Sequence, residues 1–138
     1  MHLDIITPEK KLFSEDINEI IVPTVTGEIT ILPHHENLVT SLASGEMIVT
    51  SKGKQLYLGI TGGFLEVRSN TVTILADYAV KSEDIIVENA IAIQKRAEEI
   101  LKKSKESVNE RDYASAQSDM GKAMMELRVS HKRRSKRM

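Results

Sequence analysis

The residue types best suited to chemistry stand together in one short segment, His34-His35-Glu36. Imidazole nitrogens and a carboxylate can bind a metal ion or exchange protons with a substrate. Adjacent strand residues point to opposite faces, however, whereas metal ligands must converge. The chain has no Cys, no further His at ligand spacing and no nucleophile motif. We therefore expect no catalytic residue, no metal site and no cofactor, and a structural or contact role for this segment. A metal centre or a hydrolase using His35 and Glu36 is the minor alternative.

The second segment of interest is the basic run HKRRSKR at residues 131–137. It is compatible with a solvated helix end, since cations suit the negative end of a helix dipole. It is equally compatible with an electrostatic arm that binds nucleic acid, anionic lipid or an acidic protein surface. No aromatic residue follows Tyr113, so stacking on single-stranded bases is poorly supported.

Composition predicts an ordinary folded protein with two dissimilar halves. The chain has 138 residues, 41% of them hydrophobic, and a net charge of −1. Residues 1–86 carry a balance of −6 and residues 87–138 a balance of +5. No apolar run approaches the ~18 residues of a membrane span, and no signal pattern opens the chain. We expect a soluble, cytoplasmic protein without direct membrane insertion.

The first half has the period of β-strands. Leu3 and Ile5 alternate with Asp4, and a strand over residues 17–22 is predicted to end at Pro23. Residues 46–50 and 55–60 flank a loop containing Gly53, and residues 64–68 and 71–75 flank Ser69-Asn70. Both pairs predict β-hairpins. Residues 1–83 are therefore expected to form an antiparallel β-sandwich or barrel.

The second half has the period of α-helices. Apolar residues recur at helical spacing in two stripes, at residues 86, 90, 93, 97, 100 and 101 and at residues 113, 116, 120, 123, 124 and 127. Ser82 or Asp84 is a candidate N-cap, and the polar residues 103–109 predict a loop between the helices. Residues 84–138 are thus expected to form an antiparallel α-helical hairpin, in which alanines allow close approach.

Five segments in order resemble the epsilon subunit family of the F-type rotary ATP synthase. Residues 2–9, HLDIITPE, resemble its opening strand, and residues 27–35, GEITILPHH, resemble its G-E-L-G-I-L-P-G-H stretch. Residues 62–67 and 72–77, GGFLEV and VTILAD, are the most specific block. Residues 95–99 and 127–129 are similar to parts of its two helices.

The resemblance implies a non-catalytic subunit of the central stalk. It implies an N-terminal β-sandwich of about ten strands that binds the gamma subunit and the c-ring, and a C-terminal hairpin that switches between folded and extended forms. The extended form would contact the catalytic beta and alpha subunits and inhibit ATP hydrolysis. Nucleic-acid binding by the basic arm is the alternative function. The expected location is the cytoplasmic face of the cell membrane, as a peripheral part of the complex.

Site residues follow from the same resemblance. Glu28 and His35 are at the positions that contact the c-ring. The basic residues at positions that meet the catalytic subunit are Lys122, Arg128, Lys132, Arg133 and Arg134. In the loop that faces the ring, Thr30 and His34 replace glycines of the family pattern, and Glu36-Asn37 replaces Ala-Pro.

ATP binding is not expected. Some family members bind ATP through an I-D-x-x-R-A motif at the start of the first helix. Ile86 stands where that motif has Asp, and Asn89 where it has Arg. Both charged ligands are therefore missing.

Overall fold

The computed structural model describes residues 1–103 and 109–137, with side chains as far as residue 133. The chain forms two compact units, Met1–Glu83 and Asp84–Met138. The first unit contains ten strands: β1 (His2–Ile6), β2 (Lys11–Asp16), β3 (Glu19–Thr24), β4 (Gly27–Ile31), β5 (Leu38–Leu42), β6 (Gly45–Ser51), β7 (Lys54–Ile60), β8 (Gly63–Arg68), β9 (Thr71–Ala76) and β10 (Ala79–Lys81). The second unit contains α1 (Val87–Lys102) and α2 (Glu110–Arg137). This confirms the predicted β-sandwich followed by a helical hairpin.

The ten strands belong to one continuous sheet in the order β10-β7-β6-β3-β5-β8-β9-β1-β2, with β4 paired to β3. All pairs are antiparallel except β1 with β9. Alternate residues face the interior, as at Leu3 and Ile5 in β1, which are fully buried. The resulting core is aliphatic, as the low aromatic content predicts, and its members lie between Leu3 and Ala76.

Both predicted hairpins are present, and their turns explain why they form. Lys52 and Gly53 have φ of 52° and 78°, and Ser69 and Asn70 have φ of 49° and 62°. Two successive residues with positive φ give a turn whose twist matches that of the flanking strands. Gly and Asn adopt this conformation readily, so the turn residues identify the hairpins.

The predicted strand end at Pro23 is wrong, because β3 continues through it to Thr24. Pro23 pairs with Glu28 of β4, while the pairing of β3 with β6 stops at Ile21. Proline has no N–H to donate, so it fits where one side of the strand needs no ladder bond. Strands β2 and β5 were not predicted, because neither shows a regular alternation of buried and exposed residues.

In the second unit, the two helices pack against each other. Ala90 and Ala97 of α1, and Ala116 and Ala123 of α2, are each only 2% exposed. The seven-residue spacing puts each pair on one helix face, so small side chains recur along the buried stripe. The predicted loop residues 104–108 lie outside the described part of the chain. Among the described residues, no helix combines the length and apolar character needed to cross a bilayer.

Two details of the helices differ from prediction. The N-cap of α1 is Ile86, which makes no side-chain capping bond, whereas Ser82 and Asp84 lie in a preceding 3₁₀ turn. In α2 the fully buried methionine is Met125 and not Met124. Met125 and Val129 are buried on a face that the single predicted stripe does not include.

Candidate functional site

Glu28 lies near the start of β4, and His35 lies beyond its end. Glu28 is exposed on β4 beside the β3–β4 turn, and His35 is half-buried in the loop that follows the strand. Ile31, at the strand end, is three positions after Glu28, which is about 10 Å of extended chain. No hydrogen bond or ion pair between the two side chains is present in the described part of the chain. The predicted ring contacts are therefore two separate surface groups and not one joint site.

The loop at residues 32–37 is fixed by backbone hydrogen bonds to its neighbours. The His34 N–H donates to Asn70 Oδ1 at 2.8 Å, and the Ser69 N–H donates to Asn37 Oδ1 at 3.3 Å. The loop is thus attached twice to the β8–β9 turn. His34 has φ of 65°, the left-handed conformation that glycine adopts most easily. The backbone therefore has the conformation that suits glycine at this position, although the residue is histidine.

In the segment His34-His35-Glu36, the ring of His35 contacts the loop backbone. His35 Nδ1 lies 2.8 Å from the backbone carbonyl of Glu36, to which it can donate. No group of three His, Asp or Glu side chains able to hold a metal is found among the residues that the structure describes. The local contacts of His35 hold its ring against the loop backbone.

The basic residues of α2 fall into two environments. Lys122 and Arg133 are half-buried and lie eleven residues apart, three helical turns on one face. Arg128 and Lys132 are exposed and one turn apart on a different face. The side chain of Arg134 lies outside the described residues. An approaching acidic surface would first meet the exposed pair Arg128 and Lys132.

The positions of the lost ATP motif carry no charge in the structure. Ile86 is exposed at the start of α1, and Asn89 is exposed in its first turn. A cavity of about 390 Å³ within the helical unit is lined by Lys103 but also by the carboxylates Asp112 and Asp119. Among the lining residues that the structure describes, two carboxylates face one ammonium, which is unfavourable for a triphosphate.

An exposed apolar surface on the sandwich was missed in the sequence. Val39, Phe64 and Leu75 are 71%, 58% and 51% exposed. Phe64 and Leu75 are directly paired across β8 and β9, and Ser41 on β5 faces Phe64. The signal was present, because Phe64-Leu65 and Ile74-Leu75 are adjacent apolar residues and strand neighbours point to opposite faces. Val39 lies on the same face but pairs with the exposed Glu66. The surface thus combines three large exposed apolar side chains with polar neighbours, which is typical of a contact with another protein.

The strongest charged cluster joins β1 to β2. His2 Nδ1 lies 3.0 Å from Asp16 Oδ1, and His2 Nε2 lies 3.3 Å from Asp4 Oδ1. The hydrogen bond to Asp16, aided by Asp4, raises the pKa of His2 above its ordinary value. Hydrogen bonds from Ser14 and then His2 lower the pKa of the Asp4 carboxyl. This cluster ties two strands together.

Known proteins are similar to this chain along most of its length. Residues 1–82 match the family described as ATP synthase, Delta/Epsilon chain, beta-sandwich domain. The ATP synthase epsilon chain of Dehalococcoides mccartyi strain BAV1 is 38% identical over 134 residues, covering 97% of this chain and 94% of its own. That of Pelotomaculum thermopropionicum is 46% identical over 101 residues, covering 73% and 75% of the two chains.

Solved structures have the same architecture. A chain of the Euglena gracilis mitochondrial ATP synthase, in a structure of OSCP, F1 and c-ring, superposes with a TM-score of 0.66 at 25% identity. The match covers 86% of this chain and 74% of that one. A chain of the Tetrahymena thermophila enzyme's central stalk and c-ring structure shares the fold, with a TM-score of 0.58 at 15% identity over 94% and 95% of the two chains. The chain belongs to the ATP synthase epsilon chain family.

Proposed function

We propose that this chain is a non-catalytic subunit of the central stalk of an F-type ATP synthase, which couples the c-ring to gamma and restrains ATP hydrolysis. The observation that carries the proposal is the match to epsilon chains along 97% of the chain, sandwich and hairpin included. The subunit lies at the cytoplasmic face of the membrane, as a peripheral part of the complex. No cofactor and no nucleic acid takes part.

The sandwich provides the rotor contacts. The apolar surface formed by Val39, Phe64 and Leu75 binds gamma. Burying these large exposed side chains would stabilise the complex by about 1.5–3 kcal/mol each. Glu28 contacts the c-ring from β4. His35 contacts it from the following loop, whose backbone is fixed by hydrogen bonds that involve Asn37 and Asn70. A loop held in one conformation loses little entropy on binding, which favours a stable contact.

The hairpin provides the inhibition. Its second helix brings Arg128 and Lys132, together with Lys122, Arg133 and Arg134, to an acidic surface of the catalytic subunit in the extended state. Exposed charges of this kind chiefly raise the association rate and make it dependent on salt. A switch between two states requires a ligand or partner that binds one state better than the other.

The test is ATP hydrolysis by a catalytic head depleted of this subunit, with the purified chain titrated back. We expect a saturable fall in rate. The double variant Arg128→Glu/Lys132→Glu should need about 30-fold more chain for the same effect, since each of the two reversed contacts costs about 1 kcal/mol. The matched control is Lys95→Glu/Arg111→Glu, which reverses two other exposed helix charges and should behave as wild type. An unchanged rate on addition of wild-type chain would contradict the inhibitory role.

The gamma contact is tested separately. Phe64→Glu puts a charge in the centre of the apolar surface and should abolish co-purification of the chain with gamma. Ile91→Glu places the same charge on α1 and should leave co-purification intact. Equal loss in both variants would contradict the assigned surface.

We further propose that the subunit does not bind ATP. The reason is the loss of both charged ligands at Ile86 and Asn89, together with the carboxylates Asp112 and Asp119 in the cavity of the helical unit. Calorimetry on the isolated chain should give no saturable heat with millimolar ATP. Saturable binding in that range would overturn this proposal.

A further inference from the structure

The loop at residues 32–37 begins with a β-turn whose sequence does not favour its conformation. The His35 N–H donates to the Leu32 carbonyl at 3.2 Å, so Pro33 and His34 occupy the two central positions. His34 has φ of 65°, and a positive φ directly after proline is typical of a type II turn. Glycine or asparagine is usual at that position, because most side chains make the conformation unfavourable. The turn therefore needs support from another part of the sandwich.

Asn70, in the turn between β8 and β9, provides this support. Its Oδ1 accepts a hydrogen bond from the His34 N–H at 2.8 Å. The backbone of Asn70 is itself attached to β1, because its carbonyl accepts a hydrogen bond from the His2 N–H at 3.2 Å. Its φ of 62° is a value that asparagine tolerates better than most residues do. Asn70 therefore connects the unfavourable turn to the sheet.

Asn37 makes the reciprocal connection at the other end of the loop. It directly precedes β5, and Ser69 directly follows β8, which is paired with β5. The Ser69 N–H donates to Asn37 Oδ1 at 3.3 Å, so a side chain continues the ladder of these two strands. The loop is thus attached to the β8–β9 turn on both sides of His35, at His34 and at Asn37.

The position of His35 relative to the sandwich depends on these two attachments. Its ring is half-buried, and Nδ1 can donate to the Glu36 carbonyl at 2.8 Å. That bond lies within the loop, so it fixes the ring relative to the loop backbone and not relative to the sheet. The side chains of Asn37 and Asn70 supply the connection from the loop to the sheet.

We infer that Asn37 and Asn70 are positioning residues for the c-ring contact, because they hold the loop in the conformation in which His35 meets the ring. The inference rests on the proposed function, since it takes the contact between His35 and the ring from there. A loop that is fixed before binding loses little conformational entropy in the complex. Binding to the ring therefore depends on Asn70, which lies outside the loop, whereas binding to gamma does not.

The deciding measurement is the gain in affinity that the ring provides. This gain is the affinity of the full chain for a complex of gamma with the c-ring, divided by its affinity for gamma alone. Asn70→Gly allows the positive φ of the turn but removes the acceptor for the His34 N–H. It should lower the gain at least about 5-fold, which corresponds to about 1 kcal/mol, the usual net contribution of one hydrogen bond. A sandwich that is merely destabilised would bind both partners less tightly, and the ratio would not change.

The matched control is Asn18→Gly. Asn18 Oδ1 accepts a hydrogen bond from the Lys52 N–H at 2.9 Å, in the turn between β6 and β7. The same substitution therefore removes the same kind of bond at a different turn, and the gain should stay within about twofold of wild type. An equal loss in Asn18→Gly and Asn70→Gly would overturn the positioning role.

Hydrogen exchange at the His34 amide tests the attachment itself. Asn70→Gly should speed this exchange at least about 5-fold, because the amide loses its acceptor. Asn70→Asp keeps a side-chain oxygen and tolerates positive φ, so its exchange should match that of wild type. Equal acceleration in the two variants would show that the acceptor does not hold the loop, and would overturn the inference.

Asn37→Ala provides an independent variant at an exposed position outside the strands. It removes the acceptor for the Ser69 N–H and should lower the gain at least about threefold. A gain equal to that of wild type in both Asn37→Ala and Asn70→Gly would overturn the inference and leave the proposed function intact. Absence of any gain in the wild-type chain would instead contradict the proposed c-ring contact, and the inference with it.

Discussion

At the scale of single residues, Gly63 has the most stringent steric requirement in the sandwich. Its φ is 134°, and a Cβ placed there would lie 2.0 Å from the Leu75 carbonyl oxygen and 2.9 Å from Ala76 Cα. Those atoms are backbone of the paired strand and cannot turn aside as a side chain could. Gly63→Ala should therefore lower the free energy of unfolding by more than about 2 kcal/mol.

The matched control for this prediction is Gly27→Ala. Gly27 has a similar φ of 126°, but a Cβ at this residue would have no other atom within 4 Å. Gly27→Ala should show only the cost of the backbone conformation, about 1–3 kcal/mol, and therefore a smaller loss than Gly63→Ala. Urea denaturation of both variants separates steric overlap from conformational strain, and equal losses would show that the close approach of Leu75 is unimportant.

His2 makes the stability of the sandwich dependent on pH. Because Asp16 and Asp4 raise the pKa of His2, protonation stabilises the folded state. That contribution is complete below about pH 6.5, the unfolded pKa, and disappears as the pH rises through the higher folded pKa. Asp4 acts in the opposite direction: its lowered pKa gives stability that is present above the unfolded value of 3.8 and lost as the pH falls further.

The stability difference between wild type and His2→Gln should therefore shrink as the pH rises from about 6 to 8. Urea denaturation at several pH values measures this difference in the free energy of unfolding. Added salt should reduce the difference, since His2 is near the surface. A difference between His2→Gln and wild type that stays constant with pH would contradict the assigned protonation.

At the scale of elements, the alanine stripe limits what the hairpin can accommodate. Ala123 of α2 is 2% exposed, and α1 packs against α2. Little space is therefore left for a larger side chain at this position. Ala123→Leu should destabilise the hairpin by about 1–3 kcal/mol through overpacking. Ala92→Leu introduces the same side chain at an exposed position of α1, where leucine has nearly the helix propensity of alanine.

Hydrogen exchange of α1 and α2 amides tests this prediction without requiring the whole chain to unfold at once. Faster exchange is expected throughout both helices in Ala123→Leu and unchanged exchange in Ala92→Leu. If the two leucine variants behave alike, the buried alanines do not control helix packing.

The elements also show how far the sequence could be interpreted. Strands with regular alternation or a two-residue turn were predicted correctly, as in β6–β7 and β8–β9, because local geometry determines them. β5 depends on pairing with β8, further along the chain, and the extension of β3 through Pro23 depends on where β6 stops. β2 pairs with its neighbour β1, but the register of that pair shifts between Ile5 and Ile6. These features depend on tertiary structure, and no local sequence pattern indicates them. At the candidate site, the motifs predicted which residues to inspect, but only the fold reveals which basic residues of α2 are half-buried and which are exposed.

At the scale of the whole molecule, the two units are expected to divide the work. The core of the sandwich lies entirely between Leu3 and Ala76, so the first unit contains its own hydrophobic core and should fold without the hairpin. A chain ending after Glu83 should therefore still assemble with gamma and the c-ring.

Hydrolysis by the complex that carries this truncated chain should rise at least about 5-fold, the lower range of coupling energies between regulatory and catalytic sites. The rate of ATP hydrolysis and the amount of chain retained in the purified complex measure the two functions separately. Full-length Arg128→Glu/Lys132→Glu is the matched control, because it should raise hydrolysis in part while keeping both units.

A truncated chain that folds but fails to assemble would mean that the hairpin is also needed for binding the rotor. One that assembles without raising hydrolysis would mean that the hairpin does not inhibit. Because retention and rate are independent readouts, each half of the proposal can be wrong without the other.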